Sequence, residues 1–142
     1  MPFSQKRTKQ LTTIAIFLLK THNPEAIYSL KDFLTIVPNP EKIKQILIAA
    51  IYQLMETEPE TIYWLLKNPT YLQPEIDIKF IVTQKLYEKL ITWGFTPEDI
   101  YFNENGNLEF NAATKDRLLS ANYSSDNGAI LTLIKFFLTE LI

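Results

Sequence analysis

Cysteine is missing from this chain, histidine occurs once, and glycine occurs three times in 142 residues. Without cysteine there is no disulfide, no thiolate metal site and no cysteine nucleophile. The one histidine, His22, has neither a thiol nor a second imidazole to work with, so a zinc site or a histidine-based triad is not expected. A polar residue between two helices is the plainer role for it. Gly94, Gly106 and Gly128 stand apart, and no glycine-rich loop to cradle phosphate can be built from them. Long apolar runs are lacking too. The strongly apolar stretches 46–52 and 129–142 fall short of the roughly 18–20 residues that span a bilayer, and Lys135 interrupts the second. No charged stretch followed by an apolar run and a small-residue cleavage site opens the sequence. A cytoplasmic protein without a membrane span is expected.

What is present belongs to a globular protein. Apolar residues make up 46% of the chain, enough for one domain over residues 1–142 with a substantial core and no covalent staples. The net charge of −2 hides an uneven layout. Residues 1–20 carry Lys6, Arg7, Lys9 and Lys20 with no acid, whereas residues 56–110 carry ten acids against four lysines. Such a layout can steer a charged partner. Ordinary solvated helix faces are the plainer explanation.

Five times a proline is followed by a glutamate, at Pro24, Pro40, Pro59, Pro74 and Pro97. Proline fits the first turn of a helix, where its missing N–H costs nothing, and an acid there meets the positive end of the dipole. Asn23, Asn39 and Thr96 precede three of the pairs as good N-caps, while Glu58 and Gln73 are weaker ones. The spacings of 16, 19, 15 and 23 residues are too uneven for a fixed-period repeat. The pairs therefore predict four separate helix starts, while Pro97-Glu98 opens only a short turn. Helix one covers about 4–20, with Leu11, Ile14, Ala15, Leu18 and Leu19 on a buried stripe that Ile16 and Phe17 widen. Helix two starts at Pro24 and turns Ile27, Leu30, Leu34 and Val37 inward. Helix three, about 40–56, buries Ile43, Ile46, Leu47, Ala50, Ile51 and Leu54, and helix four runs over 59–67. Helix five is expected from Pro74 or a few residues later to Trp93, with Val82, Leu86 and Leu90 in one row and Gly94 in the left-handed cap position.

After Pro97 the period changes. Residues 99–103 and 107–111 flank Asn105-Gly106, a dipeptide suited to the two positive-φ positions of a type I′ hairpin turn. Asn111 is placed to cap a helix over about 112–121; residues 122–127 read as a loop, and a last helix is expected over about 127–142. The architecture is mainly α, an irregular multi-helix bundle of about six or seven helices with one small β-hairpin near residues 100–111. The hairpin precedes the last two helices.

Chemistry is scarce in this sequence. Asn103, Asn105, Asn107 and Glu109 faintly resemble a calcium loop, but the EF-hand spacing would put its first ligand at Tyr101 and its bidentate acid at Ala112. Glu56, Glu58 and Glu60 cluster at a helix junction, where dipole and solubility account for them. No metal, cofactor or catalytic set is expected, and the chain is read as a non-enzyme.

Two groups are candidate binding surfaces. Tyr63, Trp64 and Tyr71 lie on or beside the shortest helix, and aromatics anchor interfaces because they bury large area with few rotors. Trp64 serving only to close the core is the competing role. Lys6, Arg7 and Lys9 form the basic N-terminal stretch. Helices one and the last carry more apolar surface than a domain of this size readily buries, which points to another protein or a second copy as partner. The function expected is a protein-interaction domain: an adaptor, an assembly factor or a small subunit of a larger complex. The alternative is a winged-helix-like DNA-binding regulator with helix five in the groove and the hairpin as wing. Against it, Glu98, Asp99, Glu104 and Glu109 would repel phosphates, leaving Lys6, Arg7 and Lys9 as the better contacts.

Overall fold

Asn23 and Asn39 act as the sequence leads one to expect, their side-chain oxygens accepting from the N–H groups of Glu25 and Glu41 at 2.9 Å each. In the computed structural model, which describes residues 5–121 and 128–139, these caps open the second and third of seven α-helices. The helices are α1 (Gln5–Leu19), α2 (Pro24–Leu34), α3 (Pro40–Thr57), α4 (Pro59–Lys67), α5 (Ile78–Thr92), α6 (Ala112–Ser120) and α7 (Gly128–Thr139). A 3-10 turn, Pro69–Leu72, follows α4, and the strands β1 (Ile100–Phe102) and β2 (Leu108–Phe110) stand between α5 and α6. The fold is mainly α with one antiparallel hairpin. Residue 4, the loop 122–127 and the final turn expected over 140–142 lie outside the described residues.

The proline signal coincides with three starts and precedes the fourth by a few residues. The Gln73-Pro74 peptide is cis, and α5 begins only at Ile78, where the Asp77 carboxylate accepts from the Phe80 N–H at 3.2 Å. The physical reason lies in the caps. Gln73 is a poor N-cap, whereas Asp77 is among the best and stands immediately before the apolar row of α5. Glu58, placed between α3 and α4, makes no side-chain cap bond; its N–H closes α3 onto the Leu54 carbonyl at 2.7 Å, and its carboxylate pairs with Lys20 at 3.3 Å. Pro97 opens only a short turn, as expected. The Thr96 N–H and hydroxyl donate to Asp99 at 2.9 and 3.0 Å, and they hold its carboxyl below the usual range.

The end of α5 is a glycine cap. Gly94 has φ +98°, its N–H reaches the Ile91 carbonyl, and the Phe95 N–H reaches the Leu90 carbonyl at 3.1 Å. This is the double closure of the Schellman motif, and it folds the buried Phe95 back on the helix.

The hairpin forms, with Ile100 opposite Phe110 and Phe102 opposite Leu108, but its turn is not type I′. Gly106 has φ +77°, while Asn105 does not enter the left-handed region. The Gly106 N–H bonds the Asn103 carbonyl, and the Asn103 N–H bonds the Asn107 carbonyl, each at 2.9 Å. That is a three-residue loop, a tight turn followed by a left-handed glycine. Its cause is Asn103, whose side-chain oxygen accepts from the N–H groups of Asn105 and Asn107 and starts the turn one residue early. A single glycine then supplies the only positive φ required.

The core forms around α3, which buries Ile46, Leu47, Ala50, Ile51, Leu54 and Met55 and contacts α1, α4, α5 and α7. Each of these larger side chains contributes about 1.5–3 kcal/mol on burial. Helix α7 packs against α3, α4 and α6 and buries Ile130, Leu131, Leu133, Ile134, Phe137 and Leu138. Its apolar breadth is used within the chain. Helix α1 differs: Leu11, Ala15 and Leu19 are buried, but Ile14 stays 37% exposed and Phe17 71% exposed.

Candidate functional site

The three candidate aromatics do not form one surface. Tyr63 and Trp64 are adjacent on α4, so they project about 100° apart around the helix. Tyr63 meets Phe136 of α7 at 4.3 Å between ring centroids, with the Lys67 ammonium 5.1 Å from its ring. Trp64 lies near-parallel to His22 at 5.4 Å and to Tyr71 at 5.5 Å, and Tyr71 meets Tyr28 edge-on at 6.0 Å. His22 sits in the left-handed region, φ +54°, at the turn between α1 and α2, and its Nε2 is 2.9 Å from the Thr61 hydroxyl. These rings tie that turn to α4 and to the 3-10 turn. Tyr63, Trp64 and Tyr71 are all half-buried.

Two acids of the Glu56, Glu58, Glu60 cluster make ion pairs at the surface. Glu56 of α3 pairs with Lys89 of α5 at 3.0 Å, and Glu58, between α3 and α4, pairs with Lys20 just after α1. On the hairpin, the Asn103 amide donates to Glu109 at 2.9 Å. Among the described residues no group of three or more acids and histidines is placed to hold a metal ion, and no helix is long and apolar enough to cross a membrane.

Lys6, Arg7 and Lys9 come together on the first turns of α1, all exposed. Helices α1 and α2 are joined by a short turn and pack antiparallel, so this basic end lies beside the chain leaving α2. Arg7, Gln10, Leu11, Ile14, Phe33 and Ile36 line a depression of about 240 Å³ between them. Of nine large apolar side chains exposed among the described residues, five belong to this helical hairpin or the turn after it: Ile14, Phe17, Tyr28, Phe33 and Ile36. Phe33 is 40% exposed and Ile36 50% exposed. Ile14, Phe33 and Ile36 share that depression, and Phe17 stands about one turn beyond Ile14 on α1, extending the apolar strip.

Sequence reasoning found the basic end of this surface and missed Phe33 and Ile36. For Phe33 the signal was there. Phe33 stands one residue before the inward-facing Leu34, a rotation of about 100° on a helix, whereas Ile36 lies in the turn after α2. The inward set of α2 therefore already placed Phe33 off the core face. Nothing comparable marked Ile14, whose spacing from Leu11 and Leu18 fits the buried stripe. No protein-family model, curated protein or solved structure matches the chain.

Proposed function

We propose that this chain is a non-catalytic protein-interaction domain, an adaptor, assembly factor or small subunit of a larger complex, and that its contact face is the outer side of α1 and α2. The observation that carries the reading is the exposure of Ile14, Phe17, Phe33 and Ile36 on the α1–α2 pair and the turn after it, a larger concentration of exposed apolar side chains than elsewhere among the described residues. Contiguous exposed apolar side chains rimmed by polar ones mark interaction sites. The aromatic groups are used inside the fold, so they support the reading less than the strip does. Another protein or a second copy of the chain would serve as the partner, and a cytoplasmic setting fits a chain with no cysteine.

The DNA-binding alternative draws on the order α5, hairpin, α6, with Tyr87 packed on Phe102 at 5.4 Å to seat the hairpin on α5. It gains little from the lysines of α5. Lys79 donates to Asn107, Lys85 lies 4.6 Å from the Tyr52 ring, and Lys89 pairs with Glu56.

A photo-crosslinking residue placed at position 17 tests the interaction reading in cells that make the protein, with position 101, an exposed tyrosine on the hairpin, as control. Discrete protein adducts from position 17 and few from position 101 are expected. Equal labelling from both, or none from position 17, would overturn it.

A further inference from the structure

We infer that the α1–α2 groove receives an acidic amphipathic helix of a partner protein. This rests on the interaction-domain reading and adds the chemistry of the partner. The concavity between the helices, about 240 Å³, is smaller than the roughly 300–1,000 Å³ of small-molecule sites and suits one large apolar side chain. The strip runs from Arg7 and Ile36 at one end to Phe17 at the other, ten residues along α1 or about 15 Å. That length matches anchors at i, i+3 or i+4, and i+7 of a docked helix. Two antiparallel helices also offer ridges and grooves for a third to lie against.

Charge selects the partner. Arg7 lines the groove with Ile36, Lys6 and Lys9 stand on the same first turns of α1 beside Gln10, and α1 carries no acid along its length. On the outer side of α2 near Ile36, the exposed Asp32 is the sole opposing acid. A second copy docking through the same face would offer the basic end no acid from its own α1, which carries none. An acidic helix supplies that charge.

The test uses fluorescence anisotropy with a labelled helical peptide of about five turns, carrying leucines on one face and glutamates flanking it, and a matched peptide with lysines for glutamates. The full chain should bind the acidic peptide at least about tenfold more tightly than the basic one, and less tightly as salt rises. Phe33→Ser should abolish this binding with the far-UV circular dichroism unchanged; Phe17→Ser provides the same reading should Phe33→Ser perturb the fold. The double variant Lys6→Glu/Lys9→Glu should invert the preference between the two peptides. Equal affinity for both peptides, or a preference indifferent to the lysine reversal, would overturn the inference. So would tighter binding to phosphatidylcholine vesicles containing phosphatidylserine than to the acidic peptide. Adducts from position 17 in cells, alongside failure of the acidic peptide, would overturn the acidic-helix inference alone and leave the broader reading standing.

Discussion

At the scale of single residues, the chain places its unusual backbone conformations where a turn requires them. Gly94 and Gly106 both have positive φ, and a Cβ added at either meets no atom within 4 Å. Space is therefore no obstacle at Gly106; conformation is. Gly106→Val should destabilise the fold by about 1 kcal/mol or more, because a branched side chain resists the left-handed region. A lowered urea midpoint with unchanged slope would show it, and an unchanged midpoint would contradict the left-handed geometry of this turn. The sequence pointed to the right glycine for a turn of the wrong type. Asn105 looked like a second positive-φ position, but Asn103 bonds the N–H groups of residues 105 and 107 and moves the turn upstream. Such competition between neighbouring asparagines is not visible in a dipeptide signal.

At the scale of elements, capping chemistry explains both the starts that coincide with a proline and the one that comes a few residues after it. Asparagine before Pro-Glu gave α2 and α3 their starts, and Asn111 gave α6 its start by accepting from the Thr114 N–H at 2.8 Å. At Pro74 the proline survived as a signal without its cap, and the helix waited for Asp77. Asn39→Ala should cost about 1 kcal/mol, the usual loss when a bonded N-cap is removed. Glu58→Ala, by contrast, should change stability by about 0–1 kcal/mol, since it loses only an exposed ion pair with Lys20 and no cap bond. Chemical denaturation of the two variants in parallel checks the ordering, and a larger effect at Glu58 would be inconsistent with it. The candidate surface was half legible at this scale. Charge is read directly from sequence, so Lys6, Arg7 and Lys9 were found. Exposure of an apolar side chain depends on which neighbour covers it, and only tertiary packing decides that for Ile14 and Phe17.

At the scale of the whole molecule, core and contact face are separable. Ile134 on α7 is fully buried, and Phe17 is the most exposed large apolar side chain among those described. Ile134→Ala should destabilise by about 2–5 kcal/mol through lost burial and the cavity left behind. Phe17→Ser should stay within about 0.5 kcal/mol of the parent chain. Tryptophan fluorescence during urea unfolding measures both, and comparable losses would mean that Phe17 is covered in solution. The central place of α7 also has a consequence for how the chain is made. Its docking sites are on α3, α4 and α6, so those helices await a cover that is translated after them. From Thr92 to Thr139, synthesis at about 5–20 residues per second takes roughly 2–10 s. During that interval the faces of α3 and α4 that meet α7, Tyr63 among them, remain open on the ribosome, and the nascent chain has a seconds-long window in which holdase chaperones can bind it.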